Sequence, residues 1–254
     1  MVGLSGGIDS AVVYAMAAEA LGNENVMGVL MPSQFSSDHS VSDARKLATN
    51  LSAEQHLIEI EPLFAAFSEQ LAPLFQNLPF NLAEENLQAR IRGTLLMAVS
   101  NKFGHILLNT TNKSEAAVGY GTLYGDMNGG LSILGDLYKL EVYDLARYIN
   151  HDKEIIPLNS IEKAPSAELR PGQKDSDSLP EYDILDQILY QYIELRKGPD
   201  AIIHQGFDEA TVKKVLKMVN TTEYKRHQTP PILRVSSKAF GTGRRMPIVG
   251  KYLA

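Results

Sequence analysis

Cysteine is absent from the 254 residues of this sequence. That excludes disulfides, thiolate metal ligands and a cysteine nucleophile. No apolar run approaches the roughly 18 residues that read as a membrane span. No signal peptide opens the chain, so the expected location is the cytoplasm, with no membrane partner. Basic residues are not in excess: 24 Lys and Arg stand against 30 Asp and Glu, a formal charge of −6. A net acidic chain lacks the basic clusters that neutralise a nucleic-acid backbone, and no nucleic-acid partner is expected. A few local cations still suffice for a small anionic ligand. His39, His105 and His204 are isolated, without metal-ligand spacing, and read as core or surface residues.

What is present is an ordinary globular composition, 44% hydrophobic and 21% charged, long enough to bury a substantial core. Met1 to Leu4 reads as the stub of a strand. Val26 to Met31, Gln55 to Ile60 and Ile106 to Leu108 read as three more. Between them Ala11 to Leu21, Val41 to Leu51, Pro62 to Phe75 and Leu82 to Phe103 read as helices, with Gly22 a plausible stop for the first. Strands alternating with helices predict an α/β fold with a doubly wound parallel sheet and flanking helices. Beyond Leu140 the pattern turns helical: Glu141 to Asn150, Tyr182 to Arg196 and Asp208 to Val219. In open parallel sheets a ligand sits beyond the carboxyl ends of the strands. Ser5 to Ser10, Ser33 to Ser40 and Asn109 to Ser114 follow strand ends and are expected to line one crevice. The polar stretch from Ser160 to Pro180 is long for a compact domain. It is read as a closing segment over a reactive site.

Ser5-Gly6-Gly7-Ile8-Asp9-Ser10 joins the first strand to the first helix. Adjacent glycines permit positive φ and close approach of a ligand to the backbone. Free N–H groups at a helix start attract an anion, and Ser5 and Ser10 add hydroxyls. Ser10 also stands where it can cap the helix. Asp9 repels phosphate unless a cation lies between them, and magnesium favours such oxygen ligands. A plain strand-to-helix turn would use the same residue types. No Gly-Lys-Ser/Thr follows, so this is not a Walker A loop.

The hexapeptide resembles the pyrophosphate-binding signature of the ATP pyrophosphatase, or PP-loop, superfamily, whose fold is adenine nucleotide alpha hydrolase-like. Further runs resemble successive motifs of the NAD synthetase family: Glu85 to Arg92, Asn109 to Glu115, Tyr124 to Gly130 and Leu137 to Lys139. Pro165 to Pro171, Gln173 to Asp175 and Ser236 to Gly241 are similar to its glutamine-dependent branch. The resemblance spans essentially the whole chain. It implies an AMP-forming ligase that adenylates the nicotinate carboxylate of deamido-NAD with ATP, releases pyrophosphate, and lets ammonia attack the acyl-adenylate to give NAD. Glutamine-dependent members carry a glutaminase domain with a cysteine nucleophile. Residues 1–254 are expected to be a single synthetase domain lacking that glutaminase domain and the start of the first strand.

The resemblance also implies roles. Asp9 and Glu115 match the family's magnesium ligands, and Lys139 its phosphate-contacting lysine; together they are the implied catalytic set. Ser5, Gly6, Gly7, Ile8, Asp9, Ser10, Thr110 and Ser166 match ATP-contacting positions. Asn86, Arg90, Glu115, Tyr120, Gly121, Thr122, Leu123 and Lys225 match positions near the dinucleotide. Arg90 and Arg92 lie two apart and point in different directions on a helix; Arg90, on the face of Asn86, is the one expected to meet the ligand. Blander roles stay open for each. Glu115 suits any helix start, Thr110 any turn, and Lys139 and Lys225 any solvated helix end. Ser166 fits an ordinary loop, and Tyr120 is as much a core tyrosine as a stacking platform. The family's mode of dimerisation makes Leu82 to Phe103 the expected homodimer face. Two other readings compete. One is another PP-loop enzyme such as a GMP synthetase; a tRNA sulfur transferase would need cysteines and a basic chain. The other is an adenine-nucleotide-binding module without turnover, which would not need both Asp9 and Glu115.

Overall fold

The computed structural model describes residues 1–76, 78–241 and 243–250. Its centre is a parallel sheet of five strands: β1 (Val2–Leu4), β2 (Met27–Leu30), β3 (Glu54–Leu57), β4 (Leu108–Asn109) and β5 (Leu131–Ser132). The spatial order is β3-β2-β1-β4-β5. The chain winds outward from β1 through β2 to β3, then crosses back to place β4 on the other side of β1. That reversal makes the gap between β1 and β4 the topological switch point, where open α/β sheets bind ligands.

Period-two alternation divides the strand residues between two faces. Val2, Leu4 and Leu30 enter one core with α1 (Ile8–Leu21) and α2 (Asp38–Leu51). Met1, Met27, Val29 and Met31 enter another with Phe64 of α3 (Glu61–Phe75) and with Ile91 and Leu96 of α4 (Leu82–Phe103). A third core is mainly helical, with Leu179 and Phe240 added from loops. It joins the short α5 (Lys113–Val118) to α8 (Tyr182–Ile193), α9 (Pro199–Ile203) and α10 (Glu209–Thr221). Between these lie α6 (Lys139–Ile149) and α7 (Leu158–Glu162), and α11 (Glu223–Arg226) follows α10. Among the described residues no helix is long and apolar enough to cross a membrane.

The anticipated doubly wound fold is present, with shifts that have local causes. α1 begins at Ile8 with Gly7 as its cap and no side-chain capping bond. Ser10 is therefore inside the first turn, not at the cap, and its hydroxyl instead donates to the Gly7 carbonyl at 3.1 Å. Gly22 does end α1, at φ 88°, with its N–H donating to the Ala18 carbonyl. β5 went unread because two residues show no period. The helices α5, α7, α9 and α11, four to six residues each, are also too short to show one.

Gly6, at φ 78°, brings the loop after β1 against the start of α2: a Cβ there would lie 2.2 Å from the Ser40 carbonyl oxygen. Gly6→Ala combines left-handed strain with a backbone clash, each costing about 1–3 kcal/mol. The variant is expected to be less stable by about 2 kcal/mol or more. Thermal denaturation of the variant checks this, and an unchanged melting temperature would contradict it.

Candidate active site

The loops after β1, β2 and β4 do converge. They line a larger, mostly apolar cavity of about 250 Å³ bounded by Leu4, Ser5, Met31, Pro32, Arg92 and Thr110, among others. A smaller polar cavity of about 150 Å³ adjoins it, walled by the glycine loop, Thr110, Glu115, Lys139 and Asp175. Ser5, Gly7, Thr110, Asp126, Lys163 and Ser166 border both.

The polar cavity is built on one buried lysine and two partly buried carboxyl groups. Asp9, in the first turn of α1, accepts from the Asn112 amide nitrogen at 2.9 Å and from Lys139 Nζ at 2.5 Å. Lys139 Nζ also lies 3.5 Å from Glu115 Oε1. Lys139 is 2% exposed, so it is not a solvated helix-end lysine. Burial opposes its charge, and the Asp9 and Glu115 carboxylates overcome that penalty and hold the ammonium above the ordinary lysine range. Glu115 serves two functions with two oxygens. Oε2 closes a capping box by accepting the Asn112 N–H at 3.3 Å, while Asn112 Oδ1 accepts the Glu115 N–H at 2.9 Å. Oε1 faces Lys139. Burial and the charge of Asp9 push the Glu115 carboxyl up to about 8, against the pull of Lys139.

Asp175 closes the far wall. It is 6% exposed and accepts from Tyr120 Oη at 3.0 Å and Tyr182 Oη at 2.9 Å. Burial raises its pKa against those two hydrogen bonds and the charge of Lys139. Tyr120 is thus neither purely core nor free to turn.

The residues expected near the dinucleotide form a second locus. Thr122 Oγ1 donates to Asn86 Oδ1 at 2.6 Å and Arg90 Nε to the Leu123 carbonyl at 3.2 Å. Lys225 Nζ donates to the Gly119 and Gly121 carbonyls, both at 2.7 Å. Lys225 is therefore a clamp on the Gly119 to Leu123 segment. Arg90 is exposed and outside both cavities. Arg92, two residues on, borders the larger cavity and donates to the Met31 carbonyl at 2.9 Å. Burial lowers Arg92 to about 10, with Asp126 and Glu168 acting in its favour.

Residues of the segment from Ser160 to Pro180 line the crevice, and the segment is tied at several points. Glu168 accepts from Ser37 N, Ser37 Oγ and Ser40 Oγ at 3.2, 3.0 and 2.7 Å. Gln88 donates to the Leu169 carbonyl at 2.9 Å, and Arg170 pairs with Glu85 and Asp177. Ser166 donates to the Gln173 carbonyl at 2.6 Å while bordering both cavities. Lys163 and Asp126 also line the crevice; Asp126 lies within the Tyr124 to Gly130 motif, which gives it no role, and nothing local in the sequence marks Lys163. Arg92 and Asp175 lie in motifs of the sequence that assign neither a role, yet both border the crevice.

A glycine loop at the switch point, facing two carboxylates and a buried lysine, matches one family in particular. The model of NAD synthase matches residues 1–229. The chain belongs to the NAD synthase family. It is 56% identical over 248 residues to the glutamine-dependent NAD(+) synthetase of Synechocystis sp., covering 98% of this chain and 44% of that protein. The chain thus spans about half the length of the curated relatives it matches. Among solved structures it resembles glutamine-dependent NAD+ synthetase from Acinetobacter baumannii in complex with ADP, at 46% identity and a TM-score of 0.64. That match covers 97% of this chain and 45% of the other. It also resembles NH3-dependent NAD synthetase from Campylobacter jejuni, at 31% identity and a TM-score of 0.70, covering 92% of this chain and 88% of that one.

Proposed function

We propose that this chain amidates deamido-NAD to NAD at the expense of ATP. The nicotinate carboxylate displaces pyrophosphate from ATP to form an acyl-adenylate, and ammonia then displaces AMP. The observation that carries this reading is the convergence of Asp9, Glu115 and Lys139 beside the glycine loop at the sheet's switch point. A nucleotide-binding module without turnover does not need two carboxyl groups converging on one buried lysine.

In this reading the N–H groups at the start of α1, with Ser5, Gly6, Gly7, Ile8 and Ser10, cradle the departing pyrophosphate. Thr110 and Ser166 contact ATP, and Lys139 offers its ammonium to phosphate oxygens. Developing negative charge meets donors already held in place, which is where catalysis gains most. Asn86, Arg90, Tyr120, Gly121, Thr122, Leu123 and Lys225 shape the surface that takes the dinucleotide.

The carboxylate pair also fits magnesium. Asp9 and Glu115 reach a common cation, Lys139, and Glu115 is held protonatable by burial and by Asp9, a strain that a divalent cation relieves. Among the described residues no three His, Cys, Asp or Glu side chains form a ligand cluster. Two protein carboxylates with phosphate oxygens and water is the manner in which magnesium binds nucleotide sites. Bound there, the ion would neutralise phosphate charge.

The partner expected for the exposed face of α4 is a second copy. Leu82 and Phe103, at its two ends, are 65% and 64% exposed. A separate glutaminase domain is the expected source of ammonia where glutamine is used, in keeping with glutamine-dependent relatives about twice the length of this chain.

The 254-residue chain has no thiol to open glutamine. With ATP, magnesium and deamido-NAD it is expected to form NAD and AMP from ammonium and negligible NAD from glutamine. Chromatographic assay of NAD and AMP with each donor checks this. Equal rates from glutamine, or no ammonium-dependent AMP release, would refute the reading.

A further inference from the structure

Lys163 stands where the two cavities meet and borders both of them. Its ammonium donates to Ser40 Oγ at 2.8 Å. The nearest carboxylate oxygen among the described residues, Glu168 Oε1, is 3.9 Å away, beyond hydrogen-bonding range. That carboxylate is already engaged by Ser37 and Ser40. The other lysines of this region are neutralised internally. Lys139 has Asp9 at 2.5 Å, and Lys113 has Asp136 at 2.8 Å and Glu194 at 2.5 Å. Lys139 borders only the smaller cavity and is held between Asp9 and Glu115, whereas Lys163 borders both cavities and keeps ammonium hydrogens beyond the one given to Ser40.

Its position is also registered to the glycine loop. Ser40, its anchor, is 2% exposed, and the Ser40 carbonyl is the group that the missing side chain of Gly6 lets the loop approach. The larger cavity has apolar walls from Leu30, Met31, Val41 and Leu107 that suit a flat base. The smaller one has the glycine loop, Lys139 and the two carboxylates that suit a pyrophosphate and its cation. A nucleotide laid along the crevice therefore has its α-phosphoryl group at the junction.

We infer that Lys163 is a catalytic residue that contacts the α-phosphoryl group of the nucleotide, a role that rests on the ATP reading above. When a nicotinate carboxylate oxygen bonds to the α-phosphorus, the bond to the bridging oxygen breaks and pyrophosphate leaves with the electron pair. Charge gathers on the non-bridging α-oxygens, and a preplaced ammonium stabilises it. In the second step the same ammonium stays with the phosphate of departing AMP. Ser40 and Glu168 are positioning residues: Glu168 accepts from Ser40 Oγ, which in turn receives Lys163. Glu168 does this from a left-handed backbone, φ 49°, unusual for a residue other than glycine.

The test is binding, so it does not depend on turnover. Adenosine, AMP and magnesium pyrophosphate are titrated calorimetrically into the 254-residue chain and into Lys163→Met, Lys163→Arg and Ser40→Ala. Lys163 is 24% exposed, and its loss is not expected to unfold the protein. Lys163→Met is expected to weaken AMP about 10-fold or more, the value of one charge-assisted hydrogen bond, and to leave adenosine and pyrophosphate unchanged. Lys163→Arg should recover most of the loss, and Ser40→Ala should weaken AMP more than adenosine. Unchanged AMP affinity, equal loss of AMP and adenosine, or loss confined to pyrophosphate would each overturn the assignment while leaving the ATP reading intact. A wild-type chain that binds neither adenosine nor AMP would overturn the ATP reading itself, and this inference with it.

Discussion

Asp9→Asn is expected to lower ammonium-dependent NAD formation by about two to three orders of magnitude, the effect of removing several kcal/mol of phosphate-site stabilisation. The substitution keeps the shape of the side chain and its place in the first turn of α1. It removes one of the two carboxylates that meet Lys139, at 2.5 Å from Asp9 and 3.5 Å from Glu115. Lys139 is then left buried beside a single carboxylate. Glu115→Gln is expected to act in the same direction, although its capping bond to the Asn112 N–H survives through the amide oxygen. If both carboxylates hold one ion, the double variant is little worse than either single one, because neighbours that share a partner are not additive. Steady-state rates at saturating magnesium on folded proteins decide the matter. Near-wild-type turnover of Asp9→Asn would remove Asp9 from the site, and additive losses would separate the two residues.

The largest effect on stability is expected from Lys113→Met. Lys113 precedes Glu115 on α5 and is 0% exposed. Its ammonium donates to Asp136 Oδ1 at 2.8 Å, Glu194 Oε1 at 2.5 Å and Ser236 Oγ at 2.9 Å. Asp136 also accepts the Val235 and Ser236 N–H groups at 2.8 and 2.6 Å. Those bonds and Lys113 outweigh its burial and keep its carboxyl below the usual range. One ammonium thus ties α5 to the loop before α6, to the end of α8 and to the segment at Ser236. Removing it strands two carboxylates out of water, a loss of about 3–5 kcal/mol. For a chain of this size the melting temperature should fall by on the order of 10 °C. Ser236→Ala leaves the charges paired and should cost only about 1 kcal/mol. Thermal melts by circular dichroism compare the two, and a Lys113→Met protein that melts with the wild type would show the cluster to be energetically idle.

The two predictions draw on different amounts of sequence information. Asp9 could be singled out because a carboxylate in a glycine loop at a helix start is odd unless a cation is near. Glu115 could be singled out because its motif follows a strand in the same parallel sheet. Lys113 sits in that motif too, and nothing local marks it as the centre of a cluster. Its partners lie 23, 81 and 123 residues away.

By itself, then, the sequence determined the parallel sheet, the glycine loop at its first strand, and the convergence of three loops on one crevice. Each follows from a repeating local pattern: periods in apolar residues set strands and helices, and right-handed crossovers put successive strand ends on one edge. Only the tertiary structure decided that Lys139 is buried against Asp9, 130 residues away, and that Arg92 rather than Arg90 borders the cavity. It also decided that Lys163 faces both cavities while Glu168 is spent on Ser37 and Ser40. The physical reason is that a charged side chain looks alike in sequence whether solvated or buried. Burial and partner are set by which distant segments pack against it, and so by the path of the whole chain.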